Sequence, residues 1–64
     1  MRDINRIDNF MEEVQKLWKE NFPDWRFGQL ITNFISWYET DLFYLEENDF
    51  LKAFNEFVKE IKNK

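Results

Sequence analysis

Hydrophobic residues recur at alternating spacings of three and four along the first third of the chain, which is the period of an α-helix. Asp3 precedes this stretch, where its carboxylate can accept hydrogen bonds from the first free backbone amides. Pro23 disfavours a helical conformation for Phe22, so the helix must end before it. The pattern predicts a first helix over residues 3–21, with an apolar stripe of Ile4, Ile7, Met11, Val14 and Trp18, widened by Phe10 and Leu17.

Two further segments show the same period, over residues 25–38 and 47–62. Asp24 is the candidate cap of the second helix. Gly28 lies inside the first turns of that helix, where glycine costs about 1 kcal/mol of stability relative to alanine. Close approach of another backbone would explain why a glycine is present there. The two apolar faces comprise Phe27, Leu30, Ile31, Phe34, Ile35 and Tyr38, and then Phe50, Leu51, Phe54, Phe57, Val58 and Ile61.

The residues between the second and third helices are too few for a helix of their own. Leu42 to Leu45 are all apolar or aromatic, and we predict a short extended segment at 42–45 with side chains pointing alternately to opposite sides. No repeat, linker or low-complexity stretch divides the chain. The predicted fold class is therefore all-α, a compact bundle of about three helices in a single domain over residues 1–64.

Composition limits how such a small domain is stabilised. The chain has 64 residues and contains neither cysteine nor histidine, which removes disulfides, thiolate chemistry and the common zinc-ligand sets. Aromatic residues make up 20% of the chain, with eight Phe and three Trp. Each ring can bury roughly 150 to 250 Å², so a core of large rings, or a partner, must supply the stability.

The residue types that usually form an active site are also missing. Apart from the tyrosines, the hydroxyl groups are those of Thr32, Ser36 and Thr40, and none has a recognisable activating partner. A metal site built from Glu46, Glu47 and Asp49 lacks the spacing and the glycine of a calcium loop. We predict a protein that is not an enzyme and has no catalytic residue, cofactor or metal.

The charge of the chain narrows the classes of partner. Its formal net charge is −4, whereas direct nucleic-acid binding needs clustered Lys and Arg. No apolar run approaches the roughly 20 residues of a membrane span, and no signal-peptide pattern is present. The sequence predicts a cytoplasmic protein that binds neither nucleic acid nor membrane directly.

Residues 39 to 50, "ETDLFYLEENDF", combine aromatic rings with carboxylates and contain no basic residue. We call them the acidic-aromatic segment. In one interpretation Leu42, Leu45 and one ring of the Phe43/Tyr44 pair fill the gap between helices, while the acids solvate the loop. In the other, the segment and Trp37 form a contact surface for an electropositive pocket on another protein. The candidate partner-binding residues are Trp37, Phe43, Tyr44, Glu39, Asp41, Glu46, Glu47 and Asp49.

Two tryptophans are ambiguous from the sequence. Trp25 follows a Pro-Asp pair, and a ring at that place favours packing over the start of a helix. Trp37 lies beside Tyr38 and off the apolar stripe, so a core position and a contact position are both open.

Residues 4 to 54 carry a resemblance to a known group of proteins. The stretches "RIDNFMEEVQKLWKENFPDWRFGQLI" and "FYLEENDFLKAF" resemble small, mostly uncharacterised bacterial and phage helical proteins with a YihD-like layout. The resemblance implies a small helical fold and supplies no catalytic residues. The elements that carry it are Trp18, Pro23, Asp24, Gln29, Leu30 and the stretch 43–49.

These observations favour a protein-interaction module that acts by occupying the surface of a partner. Small size, acidity and aromatic content are typical of inhibitors or adaptors that phages and mobile elements encode, for instance to block a host defence protein. One alternative is a homo-oligomeric structural protein whose surplus aromatic rings bury against a second copy. Another is a nucleic-acid mimic, in which carboxylates stand where phosphates would.

Overall fold

A computed structural model describes residues 3–63 and contains three α-helices. They are α1 (Asn5–Asn21), α2 (Phe27–Tyr38) and α3 (Glu47–Lys62). The described residues include no β-strand, so the prediction of an all-α bundle of three helices is confirmed. The helix bounds differ from the predicted ones by at most two residues. No helix in this part of the chain has the length and apolar character needed to cross a bilayer.

Local chemistry explains where α1 begins and ends. At the start, Asp3 Oδ1 accepts a hydrogen bond of 2.9 Å from the backbone N–H of Asn5, as the sequence predicts. At the end, Phe22 has left the helical region, with φ −137° and ψ 55°, because the following Pro23 restricts it. The N–H of Phe22 still donates to Trp18 O at 2.8 Å.

The expected cap of α2 at Asp24 is wrong. The helix begins two residues later than predicted, and Gln29 Oε1 accepts a hydrogen bond of 2.7 Å from the N–H of Arg26 just before it. Trp25 delays the start, since its N–H donates to Phe22 O at 3.1 Å and its ring stacks on that of Phe22 at a centroid distance of 4.2 Å. The turn between α1 and α2 is therefore held by the stacked rings of Phe22 and Trp25, and Trp25 also packs against the core.

Helix α3 is the element against which both other helices pack. It runs in the same direction as α1, since Arg6 pairs with Glu47 at the beginning of the two helices and Phe22 contacts Phe57 further along. The buried core consists of Val14, Phe22, Leu30, Phe34, Phe54, Phe57 and Val58.

Phe34 of α2 lies at the centre of this core and is fully buried. Its ring meets three rings of α3, with centroid distances of 4.9 Å to Phe50, 5.2 Å to Phe54 and 5.5 Å to Phe57. Two of these contacts are edge-to-face, the geometry that aromatic pairs favour. Four of the eight phenylalanine rings thus pack α2 against α3.

The apolar stripes of α1 and α2 are wider than the surface that α3 can cover. In α1 the residues that face the core are Phe10, Val14 and Leu17, together with Trp18. Several residues predicted to be in the core are instead exposed, because α2 is short and packs mainly on α3. They are Ile4, Ile7 and Met11 of α1 and Phe27 and Ile35 of α2.

Gly28 has no close neighbour. A Cβ atom built on it would meet nothing within 4 Å, so the predicted approach of another backbone does not occur among residues 3–63. Glycine loses more conformational entropy on folding than other residues do, and here no packing contact offsets that cost.

Candidate functional site

The predicted extended segment at 42–45 is in fact a hydrogen-bonded turn. The N–H of Leu45 donates to Leu42 O at 3.0 Å, and Asp41 Oδ1 accepts from the N–H of Phe43 at 2.9 Å. A short carboxylate that captures the amide two residues further along favours a turn over an extended backbone. Asp41 therefore overrides the preference of the apolar residues that follow it.

This turn places both aromatic rings on the outside. Leu42 packs against the core and Leu45 is half-buried, whereas Phe43 is 80% exposed and Tyr44 is 86% exposed. The expectation that Phe43 and Tyr44 point to opposite sides is wrong, because a turn brings residues one and four inward together and leaves residues two and three at its tip. The two rings contact each other edge-to-face, with centroids 4.8 Å apart.

Two carboxylates precede the turn. Glu39 ends α2 in the left-handed region, with φ 64° and ψ 5°, and its N–H donates to Ile35 O at 3.1 Å. This conformation costs a residue other than glycine on the order of 1 kcal/mol or more. Glu39 and Asp41 are both exposed, so their charges lie at the surface on the chain leading to Phe43 and Tyr44.

The remaining three carboxylates belong to the beginning of α3, where negative charge is favourable next to the helix dipole. Glu46 and Asp49 are exposed, and Glu47 is half-buried. Glu47 Oε1 lies 2.8 Å from Arg6 Nε. The Nε atom is shielded from solvent, but its N–H does not point towards Glu47 closely enough to form a hydrogen bond. Glu47 therefore joins α1 to α3 as an ion pair, and its charge is partly neutralised.

Trp37 has a structural environment different from that of the turn. Its ring lies 6.2 Å from that of Phe34 and 5.6 Å from that of Phe57, and it is half-buried against the core. Its Nε1 donates a hydrogen bond of 2.9 Å to Glu60 Oε2. Trp37 thus packs α2 against α3 and leaves only part of its ring available to a partner.

A groove of about 520 Å³ lies between the first turns of α1 and α3, around the Arg6–Glu47 pair. Its walls carry charges of both signs, with Asp3, Glu13 and Glu46 on either side of Arg6. Within residues 3–63 no group of three or more acidic side chains is arranged to hold a metal ion.

The sequence-predicted site divides into two parts in the structure. Phe43 and Tyr44 project from the turn after Glu39 and Asp41, whereas Glu47 is held in a pair with α1. Sequence reasoning missed Arg6 as the partner of Glu47, and no sequence signal links residues 41 positions apart in the chain. It also missed the apolar surface left open on α1 and α2, because helical spacing reports which residues share a face and not how much of that face a neighbour covers.

Comparison of the chain with protein-family models, with curated proteins and with solved structures gave no match. The resemblance to small bacterial and phage proteins with a YihD-like layout therefore stays a prediction from the sequence.

Proposed function

We propose that this protein is a non-enzymatic protein-interaction module that binds an electropositive surface of another protein through its acidic-aromatic segment. The observation that supports this most strongly is the exposure of Phe43 and Tyr44, 80% and 86% respectively, at the tip of one turn. Within residues 3–63 the two rings contact each other and neither packs against the core. Tyrosine in particular is frequent among the residues that dominate binding energy at protein interfaces.

The turn is suited to binding because hydrogen bonds within the chain and a contact with the core hold its backbone. Its backbone is fixed by the Leu45–Leu42 hydrogen bond and by the Asp41 side chain, and Leu42 attaches it to the core. A preorganised loop loses less conformational entropy on association than a flexible one. The rings of Phe43 and Tyr44 can therefore contribute most of their contact area to affinity.

The exposed carboxylates give the segment its preference for a basic partner. Glu39, Asp41, Glu46 and Asp49 are all exposed and negatively charged at neutral pH, and no Lys or Arg lies between residues 39 and 50. Complementary charge raises association rates and discriminates against wrong partners more than it adds affinity. In this proposal the aromatic rings supply most of the affinity, and the carboxylates make the segment selective for a basic partner.

The biological role that fits such a module is that of a small acidic inhibitor or adaptor in the cytoplasm. A phage or a mobile element would encode it, for example, to cover the working surface of a host defence protein. Support comes from the small size of the chain, its net charge of −4 and its content of 20% aromatic residues. A nucleic-acid mimic is the related alternative, and steep loss of partner binding with added salt would distinguish it.

We expect Tyr44→Ala to weaken binding to the natural partner by about 30-fold or more, which corresponds to the 2 kcal/mol of an interface hot spot. Affinity capture with the wild-type chain, followed by mass spectrometry, would identify the partner. Titration of the purified partner with wild-type and variant chains would then give the ratio of dissociation constants.

Tyr44→Phe is the matched control, since it keeps the ring and removes the hydroxyl, and we expect it to bind within a few-fold of wild type. Urea denaturation of both variants should give midpoints close to that of the wild-type protein, because the Tyr44 side chain is exposed. If Tyr44→Ala and Phe43→Ala both bind the captured protein as tightly as wild type, the acidic-aromatic segment is not the binding surface.

A further inference from the structure

Large apolar side chains are uncovered on one side of α1 and on one side of α2. Their exposed fractions are 75% for Ile4, 50% for Ile7, 49% for Met11, 54% for Phe27 and 46% for Ile35. Single exposed apolar residues are ordinary on protein surfaces, but five large ones on two neighbouring helices require an explanation. We call these five residues the α1–α2 apolar face.

Helical spacing places Ile7, eleven residues before Trp18, on the Trp18 side of α1 together with Met11 and Ile4, and one ring contact links that side to α2. Met11 and Ile4 precede Trp18 by seven and fourteen residues, so they share its side of α1. Ile35 follows Phe27 by eight residues on α2, which places it about 80° around the helix axis from Phe27. Since the rings of Trp18 and Phe27 are in contact, with centroids 5.8 Å apart, the two rows of apolar residues continue from that contact along their helices.

The uncovered area is close to what a specific interface between two small proteins needs. With roughly 200 Å² for a large side chain, the exposed parts of these residues amount to about 500 Å² on each chain. A symmetric pair would bury about 1,000 Å² from these side chains alone, which is the size at which specific interfaces begin. Flanking residues would add to this area.

Charge indicates where on the surface two copies would repel each other least. The chain carries a net charge of −4, so two copies repel each other over most of their surfaces. Helix α2, by contrast, contains no Asp, Glu, Lys or Arg in its 12 residues, and its exposed positions are apolar or polar but uncharged. Interface centres are depleted of charged residues, and at α2 the like charges of two copies would not meet.

Gly28 adds an independent feature on the same side of α2. It lies seven residues before Ile35, is exposed, and has nothing within 4 Å of the place where a Cβ would be. A bare stretch of helix allows another helix to approach closely. Close approach of a helix from a second copy of the chain would explain why this position is a glycine.

We propose that the α1–α2 apolar face is the contact surface of a symmetric homodimer, in which α2 of one copy packs against the same face of a second copy. The acidic-aromatic segment takes no part in this contact and stays available to a different partner. The dimer and the proposed function therefore depend on different residues and can fail independently.

Sedimentation velocity and light scattering over a micromolar to submillimolar range would test this proposal. We expect the wild-type mass to rise with concentration from 8.1 kDa for one chain to twice that value. Ile35→Lys should weaken self-association by about tenfold or more, since it places a charge in the contact. Circular dichroism would show that the variant keeps its helices, because Ile35 lies outside the core.

Phe43→Lys is the matched control, an exposed apolar side chain replaced by the same charge outside the proposed contact, and it should dimerise as wild type does. A wild-type mass of one chain at every concentration would overturn the proposal and leave the face to a different protein. So would a result in which Phe43→Lys abolishes dimerisation and Ile35→Lys does not.

Spin labels would locate the contact, since a chain without cysteine accepts a single engineered labelling site. We expect a shorter distance between the two copies for a nitroxide at Thr32→Cys, on the outer side of α2, than for one at Asn55→Cys on α3. The reverse order of distances would contradict a dimer through α2.

Discussion

Phe34→Ala is expected to lower the free energy of unfolding by about 3 to 5 kcal/mol, the usual cost of removing a buried phenylalanine ring. Phe34 is fully buried and its ring meets Phe50, Phe54 and Phe57, so its removal loses these three ring contacts and leaves a cavity between α2 and α3. Domains of this length have a total stability of only about 3 to 10 kcal/mol. The variant should therefore be largely unfolded at physiological temperature.

Urea denaturation followed by circular dichroism would measure this loss. Phe43→Ala is the matched control, since it removes the same ring from an exposed position, and its midpoint should stay close to that of wild type. Equal losses for Phe34→Ala and Phe43→Ala would contradict the separation between core rings and turn rings on which the proposed function depends.

Trp37→Ala is expected to cost about 2 to 3 kcal/mol of stability, less than a fully buried ring because the side chain is half-exposed. The loss comes from its packing on Phe34 and Phe57 and from the hydrogen bond to Glu60. Trp37→Phe keeps a ring on the core and removes only the N–H donor. We expect that variant to lose about 1 kcal/mol or less.

These two Trp37 variants decide between the interpretations that the sequence left open. A core position predicts a lower urea midpoint for Trp37→Ala, with partner binding largely preserved under conditions where the variant is folded. An unchanged midpoint together with lost partner binding would instead make Trp37 a contact residue, as the sequence alone allowed.

The helices were predictable because each apolar stripe, stop signal and cap acts locally. Pro23 ends α1 and the charges of Glu47 and Lys62 lie at the favourable ends of α3, all within one turn of the residues that they affect. Local signals also failed twice. Asp24 does not cap α2, which begins after Arg26, and Asp41 turned residues 42–45 into a closed turn that their apolar character did not suggest.

Burial was less predictable than helix position. Ile7 and Val14 belong to the same apolar stripe of α1, yet one is half-exposed and the other is buried. The difference depends on where α3 and the short α2 reach along α1, which is a property of how the helices pack and not of the spacing within one of them. For the same reason the sequence left Trp37 open between a core and a contact position, and its contact with Phe57 on α3 could not be foreseen.

The central position of α3 has a consequence for how the chain acquires its structure during synthesis. The ribosome releases α1 and α2 before α3, and these two helices share little surface with each other. Isolated helices of 17 and 12 residues are marginal in water, so a nascent chain up to residue 46 has no stable core to form. A fragment of residues 1–46 is accordingly expected to show weak helicity by circular dichroism, and strong helicity would refute this. Folding then awaits α3 and occurs as one cooperative event once the last helix has emerged.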